Sequence, residues 1–501
     1  MRHLAFALVA AATLGGACAS LEATSVVSPR DLDEATGRPR IDEIRDIGGT
    51  DIPAVGVLRL ASSDGAAVIG ETLWIRGGNF GRQPTVSLGG KAVAVVSRTG
   101  DGGILVRVPV GTPAGPQRLL VSQEDGEAER PIQVRRLGVV MAKDRLAFLE
   151  MTPEGPRAFD GTTIPGVQHL QLSADGRAAY AVDQGGALQV FEMPASGTPS
   201  AVFKLQLGPG VRGLFAASVA HRLLALRETE LVELDTSSPL RPVVRSARAV
   251  PGWLTGETVI RVAASPDGRL LALALAKRNR VLLFDVDNLR VLPAPAPVTD
   301  PPFVEMPLFP DVRAPVLVDL SFSPEGDTLW VLSGAAERNK SLGPQPTIVT
   351  ALRLPRTDAT GASVGMIKAR TVTLADVVAP VAVGVGRSLA LTSGSAVRLP
   401  PEKVTIFVSG RERASQRPAI FALDAEDHAV AVAVEAGALA VGRTDVTPDG
   451  RWVLGTFVDA SETLLVASAP ADGRPGKARS FRVADRASPD TLAGAELRLQ
   501  P

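Results

Sequence analysis

The residue types that could do chemistry are sparse in this 501-residue chain, which has four histidines and one cysteine. One stretch has the spacing of a nucleophile elbow: Gly361-Ala362-Ser363-Val364-Gly365, followed by Asp424 and His428 in hydrolase order. An elbow needs a strand before the serine and a helix after it, so that Oγ stands at the head of a parallel sheet. Extended sequence resumes instead at Thr371-Val372-Thr373-Leu374, so the motif reads as a hairpin loop between the third and fourth strands of a repeated unit. Asp285-Val286-Asp287-Asn288 opens like a calcium loop, but lacks the glycine and distal glutamate that would complete it, and reads as a turn. His221 falls at a turn, His169 on the extended segment 166–172, and His428 after Glu426-Asp427. No two histidines share a metal-ligand spacing. Neither catalytic residues, nor a metal, nor a cofactor is expected.

The elements that would position such residues follow from composition. Lys+Arg and Asp+Glu both number 53, and zero net charge argues against a nucleic-acid partner, whose phosphates call for a basic surface. Aromatics make up 4% of the chain, with a single tyrosine, so stacking platforms must be sparse. A hydrophobic fraction of 45% against 21% charged residues supports folded cores. The 49 glycines and 39 prolines imply many turns and an all-β chain.

The first residues read as an address. Met1-Arg2-His3 precedes a short apolar run through Leu14, too short to span a bilayer but suited to a signal peptide. Gly15-Gly16-Ala17-Cys18 follows, and Cys18 is the only cysteine. This pattern resembles the bacterial lipoprotein signal, which implies lipidation at Cys18 and, with Ala19-Ser20 next, outer-membrane sorting facing the periplasm or the outside. The alternative is soluble export with cleavage after Ala19, because Ala17-Cys18-Ala19 also fits a small-residue cleavage site. Residues 19–50 are polar, mixed in charge and without an apolar period, and read as a flexible tether with room for a short helix near 41–47.

Residues 51–136 show strand alternation at 72–76, 85–88, 104–108, 118–122 and 131–135, separated by glycine-rich turns, which suggests a small β-sandwich. The run Gly70-Glu71-Thr72-Leu73-Trp74-Ile75-Arg76-Gly77-Gly78-Asn79-Phe80-Gly81, with Val86-Ser87-Leu88-Gly89-Gly90 and Val106-Arg107-Val108-Pro109, resembles the IPT/TIG family of immunoglobulin-like domains. That resemblance implies a spacer or interaction module. Turning at Gly77-Gly78-Asn79 would let Phe80 plug one end of the sandwich.

Residues 137–501 repeat. Ser173-Ala174-Asp175-Gly176-Arg177, Ser265-Pro266-Asp267-Gly268-Arg269, Ser323-Pro324-Glu325-Gly326-Asp327 and Thr447-Pro448-Asp449-Gly450-Arg451 each precede an apolar strand. Degenerate copies stand at Lys143-Asp144-Arg145, His221-Arg222 and Gly386-Arg387. Recurrence of one such unit is the signature of a β-propeller, here of seven blades with six as the alternative. The Ser-Pro-Asp-Gly form resembles YVTN-type and WD-repeat-like propellers.

Long insertions at 293–315, 334–346 and 393–403 are expected on one common face, where recognition usually lives. They carry Asp300, Phe303, Glu305, Phe309 and Asp311, then Arg338, Asn339 and Lys340, then Arg398, Glu402 and Lys403. The whole implies a non-catalytic envelope lipoprotein that presents a propeller to a protein or polysaccharide. The alternatives are a propeller-fold hydrolase or lactonase, for which Asp319 and Arg261 are the polar exceptions on apolar inner strands, and a surface adhesin or glycan binder.

Overall fold

The structure, a computed structural model, describes residues 23–27, 37–46, 56–59, 66–109, 112–142, 145–152, 155–173, 176–193, 201–217, 221–250, 259–265, 268–275, 280–287, 290–291 and 304–305. Beyond these it describes 316–323, 326–334, 347–354, 356–357, 363–364, 368–387, 404–424, 430–435, 440–446, 453–458, 462–468, 479–485 and 496–499. Every regular element among them is a strand.

Toward the N-terminus two sheets enclose one apolar core. A six-stranded sheet runs in the order Arg40–Asp46, Thr72–Gly78, Ile104–Arg107, Val95–Thr99, Ala23–Val27, Gly56–Arg59. Its inward residues Leu73, Ile75, Ile104 and Val106 meet Val86, Leu88, Leu119, Val121 and Val134 from the facing sheet. Phe80 is buried in that core, as expected, and the turn before it requires glycine. A Cβ on Gly77 would lie 1.8 Å from the Arg40 carbonyl. Asn79 takes φ 59° and its Nδ2 donates to the Arg38 carbonyl.

The expected tether is corrected here. Ala23–Val27 and Arg40–Asp46 are strands of this sheet, and the short helix considered near 41–47 is one of them. A bulge between Ile41 and Glu43 breaks the alternation that would have marked that strand, while Ile41 and Ile44 still pack on the core. Its charges pair locally, Arg40 with Asp42 at 2.7 Å and Arg45 with Glu43 at 2.6 Å.

The boundary expected at 136/137 falls inside one strand, Gly126–Ala142. Its first half pairs with Gly115–Gln123, and residues 136–142 pair with Arg145–Thr152, which in turn pairs with Gly155–Thr163. Arg135 grips Glu150 through two hydrogen bonds of 2.6 and 3.0 Å, and buried Arg136 donates to the Thr112 carbonyl. Val68 packs among Leu137, Val139 and Met141. A continuous strand flanked by such contacts is a stiff joint rather than a linker.

Among the described residues six antiparallel meanders follow, called sheets I–VI, five of them four-stranded and the third with five strands. Sheet I comprises Val167–Leu172, Ala178–Asp183, Ala187–Glu192 and Ala201–Gln206; sheet II comprises Val211–Ala217, Arg222–Arg227, Glu230–Asp235 and Val243–Ala249. Sheet III has Val259–Ala264, Leu270–Leu275 and Arg280–Asp285, with Arg290–Val291 and Val304–Glu305 together along its fourth position. Sheet IV comprises Val316–Phe322, Thr328–Gly334, Thr347–Arg353 and Lys368–Leu374. Sheet V comprises Val377–Arg387, Val404–Glu412, Pro418–Asp424 and Val430–Glu435; sheet VI comprises Ala440–Val446, Val453–Val458, Glu462–Ser468 and Arg479–Asp485.

The first strands of sheets I to VI lie beside one another in chain order. The last strand, Glu496–Leu499, pairs with Gly138–Met141 and lies beside the first strands of both sheet VI and sheet I. Apolar layers fill the gaps between sheets, for example Tyr180, Val190 and Phe203 of sheet I against Leu223, Ala225 and Val232 of sheet II. The Tyr180 hydroxyl crosses that gap to donate to the Pro239 carbonyl at 2.9 Å.

The serine turns join first to second strands in sheets I, III and IV. Gly176, Gly268 and Gly326 take φ 75°, 69° and 74°, and their amides donate to the carbonyls of Ser173, Ser265 and Ser323. Each serine Oγ accepts from the first amide of the second strand: Ala178, Leu270 and Thr328. Gly386-Arg387 departs from the expected repeat, ending the first strand of sheet V paired with Thr405 and Val404 rather than forming such a turn.

Candidate functional site

Strand order decides which ends the expected recognition loops share. In a meander, first-to-second and third-to-fourth connections lie at one end, and second-to-third and fourth-to-next connections at the other. Residues 335–346 join the second and third strands of sheet IV, and 306–315 join sheet III to sheet IV, so these share an end. Residues 388–403 join the first and second strands of sheet V and therefore belong to the opposite end. The expectation of one common face is corrected accordingly, because the misplaced turn at Gly386-Arg387 had displaced that connection. Asp300, Phe303, Phe309, Asp311, Arg338, Asn339, Lys340, Arg398, Glu402, Lys403 and Cys18 lie outside the described residues, as does His428. Of Glu305 the backbone is placed, opposite Arg280.

The polar residues of the inner strands share one structural position. In sheets I–IV the first strand bulges against the second directly before His169, Gly213, Arg261 and Asp319. A bulge re-aims the side chain that follows it. His169 Nε2 accordingly meets the Val211 carbonyl of sheet II at 3.1 Å. Asp319, 1% exposed, accepts from the Val383 amide of sheet V at 3.0 Å, and its other oxygen lies 3.6 Å from Arg261 Nε of sheet III. This buried carboxylate thus ties three successive sheets together.

The remaining chemistry candidates are scattered. Ser363-Val364 forms a two-residue strand against Arg356-Thr357, between the third and fourth strands of sheet IV, where a loop was expected. Asp424 ends the third strand of sheet V opposite Thr405. His221 is an exposed turn residue with φ 47°. Asp285 accepts from the Asp287 amide at 2.9 Å, making the expected turn. Among the described residues no group of three or more His, Cys, Asp or Glu side chains is placed to hold a metal.

A charged cleft of about 530 Å³ opens between the outer parts of sheets II and III, lined by Arg222, Glu233, Arg245, Ser246, Arg248 and Asp287. Arg222 lies 2.9 Å from both Glu233 and Asp287. Burial opposes its charge, yet hydrogen bonds to Asp287 and Glu233 outweigh this and raise its pKa above the ordinary arginine value. Arg248 donates to the Val286 and Asp287 carbonyls at 2.9 and 3.0 Å and lies 3.5 Å from Glu233. Ser246 Oγ donates to Glu233 at 3.4 Å, and Arg269 Nε lies 3.6 Å from Asp287.

Sequence reasoning missed this cleft. Each of its charges, taken alone, reads as a solvated strand residue. The usable signal was a comparison of repeats in register. Arg222, Glu233, Ser246 and Arg248 of sheet II occupy the positions of Ala178, Val190, Phe203 and Leu205 of sheet I. In sheets III and IV the residues equivalent to Glu233 are Leu283 and Ala351.

No family model matches the chain, and no curated protein matches it. The chain is similar in structure to the Swd1 β-propeller domain of Myceliophteria thermophila, with 14% identity, TM-score 0.42, and coverage of 73% of this chain and 93% of that one. A putative 6-phosphogluconolactonase of Bacteroides fragilis aligns with 15% identity, TM-score 0.44, and coverage of 70% and 95%. Hydrazine synthase of Kuenenia stuttgartiensis aligns with 13% identity, TM-score 0.44, and coverage of 71% and 93%. The chain is an all-β protein with propeller-like structural neighbours. Its functional reading rests on strand pairing and side-chain contacts rather than on these likenesses.

Proposed function

We propose that the protein is a non-catalytic binding and assembly scaffold of the bacterial envelope, held by a lipid at Cys18 and facing a protein or polysaccharide partner. In this reading sheets I–VI are six blades of a seven-bladed propeller. The seventh blade combines Glu496–Leu499 with residues 136–142, Arg145–Thr152 and Gly155–Thr163, so that the chain's end closes the circle. The paired sheets ahead of it are an Ig-like sandwich of the IPT/TIG type, and the shared strand Gly126–Ala142 holds the two units at a set angle.

The observation that carries the scaffold reading is the use made of Asp319. It is an inner-strand acid of the kind a propeller hydrolase would draw on, and both its oxygens are engaged with neighbouring sheets in a buried site. A carboxylate committed in this way holds blades together rather than serving a substrate.

The test is cross-linking and capture from envelope fractions, using the intact chain and a variant with 306–315 and 335–346 replaced by short Gly-Ser linkers. The scaffold reading expects partner capture to be lost while thermal unfolding stays unchanged. Undiminished capture by the folded variant would contradict it. Cys18→Ser is expected to release the protein from the membrane fraction; retention there would contradict the lipid anchor.

A further inference from the structure

The cleft between sheets II and III breaks the rule by which the neighbouring gap is built. Where sheet I presents Ala178, Val190, Phe203 and Leu205 to its neighbour, sheet II presents Arg222, Glu233, Ser246 and Arg248. Local departures from an otherwise consistent pattern tend to mark function, since packing alone would favour the apolar set.

The charges do not cancel. Four guanidinium groups, Arg222, Arg245, Arg248 and Arg269, stand among three carboxylates, Glu233 and Asp287 in ion pairs and Asp235 within electrostatic reach of Arg245. Arg222 is taken up by Glu233 and Asp287. Arg245 is held more loosely: it is the extra residue of a bulge opposite Glu233 and Leu234, its side chain is 67% exposed, its closest ion pair is a 3.5 Å contact with Glu233 through Nη1, and Asp235 acts on it only at longer range. Buried Arg248 Nε has no hydrogen-bond acceptor among the described residues. Unused donors on a rigid guanidinium fork suit an acceptor with two oxygens in one plane.

We propose that this cleft is an oxyanion site that takes a carboxylate or phosphate group on Arg245, with Arg222 and Arg248 setting the positive field behind it. Glu233 and Asp287 hold the two inner arginines in place and leave a surplus of positive charge for the ligand. The site lies at the end of the sheets that carries the serine turns, and it stands whether or not the loops at the other end meet a partner.

The experiment is calorimetric titration of the full chain at low ionic strength with inorganic phosphate and with glutarate, against chloride at matched ionic strength. Saturable one-site binding of either anion is expected, weakening as salt rises. Phosphate alone would point to a phosphorylated ligand or free phosphate; glutarate alone would point to a carboxylate such as an acidic side chain. Arg245→Gln should weaken binding roughly fivefold without lowering the melting temperature, as expected for one exposed charge-assisted contact. Absence of saturable binding by the folded wild type, or unaltered affinity in Arg245→Gln, would overturn the proposal.

Discussion

Two neighbouring gaps, built from the same repeat, solve the packing problem in opposite ways. Between sheets I and II, Tyr180, Val190, Phe203 and Leu205 form an apolar layer against Leu223, Val232 and Leu234, and the Tyr180 hydroxyl that enters it finds the Pro239 carbonyl. Between sheets II and III the inner half is equally apolar, with Leu224, Leu226 and Leu231 against Leu271, Leu273 and Leu282. Its outer half is an ion cluster around Glu233, whose side chain is 7% exposed. Sheets I and II, which present these two faces, share the same strand register and the same third-to-fourth bulge, so the faces differ in their side chains. The repeat supplies a scaffold on which one gap can be specialised without disturbing its neighbours.

Substitutions that exchange the two solutions test this directly. Val190→Glu places a carboxylate in the apolar gap with none of the arginines that surround Glu233. It should be the most damaging change, at about 4 kcal/mol or more of lost stability in denaturant unfolding. Glu233→Ala leaves Arg222 and Arg248 facing each other over a missing anion and should cost about 3–5 kcal/mol. The double change Arg222→Ala with Glu233→Val, which copies sheet I into sheet II, should restore most of that loss, because a well-packed apolar pair is often no worse than a buried ion pair. If the double variant is as unstable as Glu233→Ala, the gaps are not equivalent and the comparison fails. Tyr180→Phe strands the Pro239 carbonyl and should cost about 1–2 kcal/mol.

The smallest expected effect is a pH dependence. Burial raises the carboxyl of Glu192 above its ordinary value of 4.5, partly offset by Arg177. An acid whose folded pKa is raised adds stability below its unfolded pKa and loses it as pH rises through the folded value. Glu192→Gln should therefore flatten a fall in thermal stability that sets in as pH rises above 4.5, and an unaltered profile would show that the fall has another source.

Much of the fold could be read because its turns are chemically explicit. Ser173, Ser265 and Ser323, each three residues before a glycine with positive φ, mark three first-to-second connections without ambiguity. Gly386-Arg387 shares part of that pattern but lacks the serine that ties the turn, and it proves to be strand. The strands at Ala23–Val27 and Arg40–Asp46 were hidden for a different reason. The second is bulged and charged on its open side, and it becomes recognisable only against its partner Thr72–Gly78. Arg261 and Asp319 were legible as exceptions on apolar strands, and His169 as a residue of an inner strand. Their shared role was not, because it depends on bulges that only pairing reveals. The cleft at Arg222 and Glu233 needed both register and neighbour.

Circular closure is the central claim of the proposed architecture, and its support is the pairing of Met141 with Glu496 and of Val140 with Leu497. In a chain with Cys18→Ser, cysteines at 141 and 496 can be joined by oxidation only if those strands lie side by side, since a disulfide requires Cα atoms roughly 4.4–6.8 Å apart. Closure predicts near-complete disulfide formation in the folded protein and a higher melting temperature than in the reduced form. A folded protein whose two thiols stay free under the same oxidant would contradict it.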